Sequence, residues 1–275
     1  MTAALIILAI IAWFALLLFS IYVIALACPV SKQPENQDLL CEYAHRGLHG
    51  DGVPENSLAA FKLARDNGFA IELDVHLSAD KEVMVFHDES LKRMTSHDAK
   101  IGKLTCAELK ELRLAGTDES IPTLREVLEL IDGKVPLLIE LKGENTDTSL
   151  CPEVAKLLHK YSGAYCIESF NPLLLGAMRK EMPDAYYGLL YTNVCREKKS
   201  FNALNIALTC MALNFIAKPN FIAFDKSDRG SFPVWLTTRF FGAPKYVWTI
   251  RNDEELDVAR TNGECPIFEN CNSGH

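Results

Sequence analysis

Several features that would assign this protein to a common class are missing from its sequence. Its 275 residues carry a formal net charge of -8, so the chain lacks the basic excess with which nucleic-acid-binding proteins displace counterions. Its nine cysteines form no CxxC pair, which argues against a zinc site, and we interpret them as small buried hydrophobic residues. We also find no internal repeat and no low-complexity tract. A general nucleic-acid binder, a zinc-stabilised domain and a repeat protein are therefore disfavoured.

Charge is also missing from the N-terminus, because Thr2 to Cys28 contains no charged residue. About 20 apolar residues in a helix span a bilayer. The basic start and short apolar core of a cleaved signal peptide are not found here, so we expect residues 1–28 to be a single-pass, uncleaved membrane anchor. Lipoprotein processing at Cys28 is a minority interpretation, since the residues before it fit that pattern poorly. Lys32 follows the span and weakly favours a cytoplasmic catalytic domain.

The rest of the chain is interpreted as a linker and one large domain. Residues 29–40 are polar and contain two prolines, which is typical of a linker. Within 41–275, short β-rich runs alternate with helical patterns, which predicts a parallel sheet; about eight strands predict a closed (β/α)₈ barrel, or TIM barrel. The segment at about 88–120 interrupts the alternation after the second barrel strand. We expect a small inserted subdomain there.

Two carboxylates within one apolar run point to a metal site. Glu72 and Asp74 stand at i and i+2, hence on one side of a predicted strand. Two neighbouring anions require a cation, and oxygen ligands without cysteine suit Mg²⁺ or Ca²⁺. Glu140, on another predicted strand, is the candidate third ligand, and Lys142 could face phosphate oxygens. A solvated acidic edge strand, or an inert ion pair of Glu140 with Lys142, is the alternative for each segment alone.

Two histidines end predicted strands and suggest proton transfer. His45 is followed by Arg46 and Gly47, and His87 ends the apolar run that begins at Val83. Two imidazoles could act as acid and base on opposite sides of a phosphorus centre, while the Arg46 guanidinium could bind phosphate. For the His-Arg-Gly sequence alone, a surface loop is the favoured interpretation.

Other polar residues near these motifs receive structural interpretations. Ser57 is expected to cap the helix that follows it. His76 shares the strand of the two carboxylates and is expected at the rim of the site. The remaining histidines lack such contexts and are treated as surface or packing residues, namely His49, His97, His159 and His275.

The order of these motifs resembles the glycerophosphodiester phosphodiesterase family, and the resemblance covers residues 43–270. It rests on His45-Arg46-Gly47, Pro54-Glu55-Asn56-Ser57, Glu72-Leu73-Asp74, His87-Asp88, Leu91-Lys92-Arg93-Met94-Thr95, Ile121-Pro122-Thr123-Leu124, Glu140-Leu141-Lys142, Glu168-Ser169-Phe170 and Trp248-Thr249-Ile250. The resemblance implies a TIM barrel with a small insertion that hydrolyses glycerophosphodiesters to glycerol 3-phosphate and an alcohol. It implies one divalent cation held by Glu72, Asp74 and Glu140. It also implies an acid–base pair, His45 and His87, and phosphate contacts from Arg46 and Lys142.

The resemblance further implies that the glycerol 2-hydroxyl attacks phosphorus and that water opens the resulting cyclic phosphate. Phe170 and Trp248 would line the glycerol side of the pocket, and Glu55 would support the metal site from outside its ligands. The chain departs from the family pattern at Arg251, where asparagine is more usual, and at Ser57, where threonine is. The end of the barrel, Cys265 to Asn270, lacks the usual Gly-rich strand with Thr-Asp.

Three alternatives remain at this point. With a membrane anchor, the substrate could be a lysophospholipid, which would make the protein a lysophospholipase D. A membrane-tethered phosphate-binding scaffold without turnover is a second alternative. A cyclising lipase similar to bacterial phosphoinositide phospholipases is the third, although it would not need three metal carboxylates. No nucleic-acid or protein partner is expected.

Overall fold

The computed structural model describes residues 3–30, 32–143 and 145–271, so His275 lies outside the described residues. The strands are β1 Tyr43–Ala44, β2 Ala70–Leu77, β3 Val83–Val85, β4 Leu137–Leu141, β5 Tyr165–Ser169, β6 Tyr187–Tyr191, β7 Phe221–Asp225, β8 Lys245–Ile250 and β9 Cys265–Phe268. The helices are α1 Ala3–Ile21, α2 Leu58–Asp66, α3 Lys92–Thr95, α4 Cys106–Glu111, α5 Leu124–Ile131, α6 Leu150–Leu158, α7 Pro172–Glu181, α8 Val194–Glu197, α9 Ala203–Thr209, α10 Asn214–Ala217, α11 Phe232–Val234 and α12 Asp253–Thr261.

Eight of these strands form a closed parallel barrel. The order is β1, β2, β4, β5, β6, β7, β8 and β9, and β1 pairs in parallel with both β2 and β9. Strands that are buried on both faces read as continuous apolar runs, and β4 (Leu-Leu-Ile-Glu-Leu) is buried along its whole length. The predicted (β/α)₈ barrel is confirmed.

The run that begins at Val83 is a strand, but it does not belong to the barrel. β3 pairs antiparallel with β2, with Val75 opposite Val85. His87 therefore follows a short strand outside the barrel rather than the carboxyl end of a barrel strand. Beyond it, the segment at 88–120 contains α3 and α4 and packs around its own buried apolar cluster, which includes Leu91, Leu109 and Leu114.

Helix boundaries follow from capping residues that the sequence shows directly. The side chain of Ser57 accepts a hydrogen bond from the Ala60 amide and so caps α2, as expected. Thr123 and Glu126 form a capping box at the start of α5. Such caps satisfy amide groups that the first helical turn leaves unpaired, and they fix where each crossover helix begins.

The amino end of the barrel is closed by residues just before β1. Gln37–Leu39 form a 3₁₀ turn, and the buried Leu39 carbonyl oxygen accepts hydrogen bonds from the hydroxyls of Tyr43 and Tyr246, at 2.8 and 2.6 Å. The Val30 amide, at the start of the same segment, donates to the Pro219 carbonyl at 2.8 Å. The segment 29–40, expected as a linker, is therefore attached to the barrel at both of its ends.

The N-terminal segment is one helix that is long and apolar enough to cross a membrane. Ala4–Leu26 has a mean hydropathy of 2.9 within its most apolar window, which is not buried against the rest of the protein. The side chains of residues 4–19 are exposed, as Trp13 is at 74%. A signal sequence near the N-terminus has the same length and composition, so these properties fit either role.

Gly47 offers a test of the packing between the β1–α2 turn and α2. Its φ is +82°, and an added Cβ would lie 2.9 Å from the Ala60 backbone carbon; Gly52 also has a positive φ, +75°, but its Cβ would meet no described atom within 4 Å. We expect Gly52→Ala to cost about 1 kcal/mol from the left-handed backbone alone. Gly47→Ala should cost about 2 kcal/mol more, because α2 must also move. Thermal unfolding of the two variants measures the difference, and equal losses would contradict this packing.

Candidate active site

One cavity of about 370 Å³ opens at the carboxyl ends of the barrel strands. Side chains at strand ends of a (β/α)₈ barrel converge there, and in such barrels this face carries the active site. The cavity is lined by His45, Arg46, His49, Glu55, Glu72, His87, Glu140, Lys142, Glu168, Phe170, Leu190, Trp248, Thr249, Arg251, Ile267 and Glu269.

A cluster of four buried carboxylates lies at the base of this site. Strand register places Asp74 beside Glu140 and Glu140 beside Glu168, because β2, β4 and β5 are neighbours. Glu72 precedes Asp74 by two residues and lies on the same side of β2. The ligand atoms of Glu72, Asp74 and Glu140 all lie within 4.8 Å of one another. The three predicted metal ligands are therefore together, and Glu168 joins them.

Two cationic side chains and two amide groups hold this cluster in place. Lys142 Nζ lies 2.8 Å from Asp74 Oδ1 and 2.7 Å from Glu140 Oε1. The Arg46 amide donates to Glu72 Oε2 at 2.9 Å, and its guanidinium Nε lies 3.5 Å from Asp74 Oδ2. Asn56 Nδ2 donates to Asp74 Oδ2 at 2.8 Å. Asn56 therefore fixes a candidate metal ligand, a role that its position before a helix cap did not reveal.

The pKa values of the four carboxyls follow from burial and from their neighbours. Burial, with the charges of Asp74 and Glu140, raises the pKa of Glu72 well above its usual value. Burial opposes ionisation of Asp74, but Lys142 and Arg46 outweigh it and hold the pKa of Asp74 well below its usual range. Burial raises the pKa of Glu140 to about 7 despite Lys142. Burial also raises the pKa of Glu168 well above its usual value, and the charges of Glu140 and Glu72 add to the effect.

The donor set fits one divalent cation of the hard, oxygen-preferring kind. Four carboxylates stand against the two side-chain cations Arg46 and Lys142, so full ionisation leaves two negative charges without a partner in the cluster. Among the described residues, no donor makes a hydrogen bond to Glu168 Oε2, although the atom is buried. A divalent cation would balance this charge and favour the ionised form of each carboxyl.

His45 is oriented by a carboxylate at the end of the last barrel strand. Its Nδ1 lies 2.9 Å from Glu269 Oε1, and its Nε2 lies 3.9 Å from Glu72 Oε2. The hydrogen bond with His45 lowers the pKa of Glu269 to about 2, while burial lowers the pKa of His45. An ionised Glu269 accepts the Nδ1 proton, so Nε2 is the nitrogen that can exchange a proton next to the acidic cluster.

His87 has a similar partner and belongs to a chain of charged groups. Its Nδ1 lies 2.6 Å from Asp88 Oδ1, and burial lowers the pKa of His87. Asp88 in turn accepts from Arg93 Nε at 2.6 Å, and Arg93 also binds Glu55 at 2.7 Å. Glu55 contacts the Arg46 guanidinium at 2.8 Å. The inserted segment thus contributes Asp88 and Arg93, which connect His87 to Glu55.

Two aromatic rings form the apolar side of the cavity. Phe170 and Trp248 pack edge to face, with ring centroids 5.6 Å apart, and the indole Nε1 donates to the Ala223 carbonyl at 3.1 Å. Arg251 lies near them, 3.2 Å from Glu269 Oε1. The arginine that departs from the family pattern is therefore paired with the carboxylate that orients His45.

The structure brings the residues singled out in the sequence into one site. Nine of them line the cavity, namely His45, Arg46, Glu55, Glu72, His87, Glu140, Lys142, Phe170 and Trp248, and Asp74 lies in the acidic cluster beneath it. His76 stands at the edge, its Nε2 3.1 Å from the His87 carbonyl oxygen. His49, by contrast, was expected to be a surface or packing residue and is found in the cavity wall.

Glu168 and Glu269 contact the site, although neither was predicted as a site residue. Each ends an apolar run, Tyr-Cys-Ile-Glu and Pro-Ile-Phe-Glu, and a carboxylate in that position was the available signal. Glu140 was predicted because it stands at i, i+2 with Lys142. A search for a carboxylate at the end of every apolar run, rather than for i, i+2 pairs only, would have identified both.

Fold and site together define the class of this protein: a (β/α)₈-barrel enzyme whose cavity holds two histidine–carboxylate pairs and two cations around a carboxylate cluster that could bind a metal ion. More narrowly, the chain belongs to the glycerophosphoryl diester phosphodiesterase family, whose pattern matches residues 45–268. This is a family of metal-dependent phosphoric diester hydrolases, as the resemblance in the sequence predicted.

Individual relatives agree with this assignment. A glycerophosphodiester phosphodiesterase of Caldanaerobacter subterraneus subsp. tengcongensis is 39% identical over 164 residues, which are 54% of this chain and 65% of the relative. The human lysophospholipase D GDPD1 is 33% identical over 144 residues, 47% of this chain and 45% of the relative. The chain thus matches less than two thirds of either protein. An Oleispira antarctica phosphodiesterase, solved in complex with sn-glycerol-3-phosphate, superimposes with a TM-score of 0.66 at 27% identity, over 83% of this chain and 92% of the other.

The raised pKa of Glu168 predicts how stability depends on pH. The folded protein binds the Glu168 proton more tightly than the unfolded chain does. The contribution of this proton to the free energy of unfolding is therefore fully present below about pH 4.5, and it is lost as the pH rises towards the pKa of Glu168 in the folded protein. Glu168→Gln removes this loss. In EDTA-treated protein we expect the variant to gain on the wild type by up to about 1.4 kcal/mol for each pH unit above 4.5.

Thermal unfolding of both proteins at pH 5, 6.5 and 8 measures the gain. Titrating groups distant from the acidic cluster are shared by the two proteins and cancel in the comparison. Glu72 and Glu140 interact with Glu168, so the measured gain includes the relief of their repulsion. A difference in melting temperature that does not change with pH would show that Glu168 titrates normally.

Proposed function

We propose that this protein hydrolyses glycerophosphodiesters to glycerol 3-phosphate and an alcohol, as a step in glycerophospholipid breakdown. The observation that carries the proposal is the acidic cluster in one cavity with two histidine–carboxylate pairs and two cations. The Oleispira antarctica relative, solved with sn-glycerol-3-phosphate, supports this choice of product.

Glu72, Asp74 and Glu140 are proposed to hold one divalent cation, Mg²⁺ or Ca²⁺. When bound, the ion neutralises phosphoryl oxygens and acidifies a nearby hydroxyl. The raised pKa values of Glu72 and Glu140 support this assignment, because both carboxyls are buried together without enough positive charge. Glu55 has an indirect role: it holds the Arg46 side chain, which also lies beside Asp74.

His45 and His87 are proposed to transfer the protons. One imidazole takes the proton of the glycerol 2-hydroxyl as its oxygen bonds to phosphorus, and the other protonates the departing alcohol oxygen as its bond to phosphorus breaks. Water then opens the cyclic phosphate, with the proton transfers reversed. Glu269 and Asp88 occupy Nδ1 of the two rings, which supports Nε2 as the reacting nitrogen in each.

Arg46 and Lys142 are proposed to bind the phosphate, and the two aromatic rings to contact the rest of the substrate. Both cations line the cavity, and charge accumulates on phosphate oxygens as phosphorus is attacked. Phe170 and Trp248 present an apolar wall on the other side, which suits the carbon atoms of glycerol.

The N-terminal helix is proposed to anchor the protein in a membrane. In this proposal residues 1–28 span the bilayer, residues 29–40 link it to the barrel, and residues 41–275 are the catalytic domain with its insertion at about 88–120. The length and hydropathy of Ala4–Leu26 support the span. Lys32 favours the cytoplasmic side for the catalytic domain, though with one cation only.

A second candidate function is that of a lysophospholipase D. The human relative of that name and the apolar N-terminal helix both favour it. The chemistry at phosphorus would be the same. The difference lies in whether the glycerol carries an acyl chain, which the open, aromatic side of the cavity could admit.

Metal dependence is the first test of the proposal. The full chain should release glycerol 3-phosphate from glycerophosphocholine, lose this activity with EDTA and regain it with Mg²⁺ or Ca²⁺. Glu72→Gln should reduce turnover by roughly a hundredfold or more at a fixed metal concentration, because the variant loses a ligand charge. Glu153→Gln is the control, since that carboxylate forms only a surface ion pair with Lys156.

Each contrary outcome has a specific meaning. Turnover that is indifferent to EDTA would favour the metal-independent cyclising lipase, and no turnover of any diester would favour a phosphate-binding scaffold. Cleavage of lysophosphatidylcholine but not glycerophosphocholine would establish the second candidate.

The two histidines can be tested separately. His45→Ala and His87→Ala should each lower kcat by about 10² to 10⁴-fold, because each would remove one proton transfer. His159→Ala, outside the cavity, is the control. A fully active His87→Ala protein would remove His87 from the mechanism. This is the stricter of the two tests, because His87 follows β3, a strand outside the barrel, whereas His45 follows a barrel strand.

A further inference from the structure

Exposed apolar side chains are concentrated on one part of the carboxyl face of the barrel. Phe201 and Leu204 follow β6 and are 78% and 60% exposed; Phe232 and Trp235 follow β7 and are 47% and 49% exposed. We call these four residues the apolar rim. β6 and β7 are neighbouring strands, so the two segments that carry these residues leave the barrel side by side. Exposed apolar residues grouped in this way commonly mark an interaction site.

The opposite part of the same face is polar. In the β1–α2 turn and in the segment 88–120, both fully described, every large apolar side chain is buried or half-buried. Phe170 after β5 and Trp248 in β8 lie on either side of the rim strands and form the apolar wall of the cavity. The apolar rim therefore borders the aromatic side of the active site.

The path of the N-terminal helix runs to this rim. Val30 is at the amino end of the barrel, because its amide donates to the carbonyl of Pro219, just before β7. Towards the N-terminus, the Ala27 carbonyl accepts a hydrogen bond from Asn214 Nδ2 at 2.7 Å. One turn further, the Tyr22 hydroxyl donates to the Cys210 carbonyl. Phe19 then contacts Phe232, which follows the carboxyl end of β7, with ring centroids 6.3 Å apart.

The helix therefore runs along the barrel from its amino end to its carboxyl end. Ile21 keeps helical backbone angles (φ -60°, ψ -46°), so the helix is continuous between its packed part and its exposed part. These contacts hold residues 19–28 of the proposed anchor against the barrel, so the part that would enter the bilayer is the exposed helix before Phe19, beyond the carboxyl face. A bilayer that contains this helix would consequently lie on the side to which the active site opens.

The chemistry of the rim matches the surface of a bilayer. Phe232 and Trp235 stack at 5.8 Å and extend the aromatic contact made by Phe19. Aromatic rings of this kind concentrate at the membrane–water boundary. Lys198 and Lys199 are exposed immediately before Phe201 and could contact lipid phosphates.

We propose that the apolar rim rests in the surface of the bilayer from which the N-terminal helix emerges, so that the active site receives its phosphodiester from that surface. The inference rests on the proposed anchor and on the second candidate function, and it deepens both: the substrate that reaches the site from this surface is a lysophospholipid, which keeps one acyl chain. An acyl chain entering past Phe170 and Trp248 would remain in contact with apolar surface.

The position of the rim can be measured without any activity. The full chain with Trp13→Phe is reconstituted in phosphatidylcholine vesicles, with and without phosphatidylcholine brominated at positions 6 and 7. Adding Trp235→Phe isolates the emission of Trp235 by difference. We expect this emission to be quenched by the brominated lipid. Unquenched Trp235 emission, or a dimer in which Trp235 is shielded by a second copy, would overturn the proposal.

Substrate preference gives the second measurement. A variant with Phe201→Ser, Leu204→Ser, Phe232→Ser and Trp235→Ser should cleave lysophosphatidylcholine in vesicles roughly tenfold more slowly, because apolar contact with the membrane is lost. Its turnover of soluble glycerophosphocholine should stay within about twofold. Leu63→Ser with Val258→Ser is the matched control, since both residues are 44% exposed on α2 and α12. Equal loss by variant and control would overturn the proposal.

The two measurements separate this inference from the proposed function. Quenched Trp235 in a protein that cleaves neither substrate would leave the rim in place and remove the reaction. Cleavage of glycerophosphocholine by a protein with unquenched Trp235 would support the reaction and remove the proposed membrane contact of the rim. Where the four-residue variant also loses glycerophosphocholine turnover, its fold is damaged and the quenching result alone decides.

Discussion

The burial of four carboxylates beside one another is the constraint on which the rest of the structure depends. Like charges in a low-dielectric interior repel strongly, and burial alone disfavours each ionised form. Lys142 and Arg46 relieve part of this cost at Asp74, whose pKa is lowered, while Glu72, Glu140 and Glu168 keep raised values. The remaining imbalance is what a divalent cation would correct.

The barrel fold brings these carboxylates together. Parallel strands in register bring Asp74, Glu140 and Glu168 side by side, although they are far apart in the chain. Groups outside the barrel then complete the site. Asp88 and Arg93 come from the inserted segment. Asp88 pairs with His87, and Arg93 pairs with Glu55, so the insertion contributes to the site as well as connecting β3 to α5.

The two histidines have similar partners although they are held by different parts of the fold. His45 follows a barrel strand and pairs with Glu269 at the end of the last strand, whereas His87 follows a strand outside the barrel and pairs with its own neighbour Asp88. In both, a carboxylate lies at Nδ1, so Nε2 is the nitrogen that the proposed proton transfers would use.

The sequence by itself predicted the barrel and the apolar N-terminal helix, because strand periodicity and apolar length are local properties. Charges at the ends of predicted strands selected His45, His87 and the carboxylates, whereas Phe170, Trp248 and Glu55 were selected by the resemblance to the family. The tertiary structure alone decided which residues face one another. Glu269 beside His45, Glu168 beside Glu140 and Asn56 on Asp74 are contacts between distant segments, fixed by register and barrel closure. The same holds for His49 in the cavity and for Phe19 against Phe232. Such proximity depends on how elements pack, and no spacing along the chain encodes it.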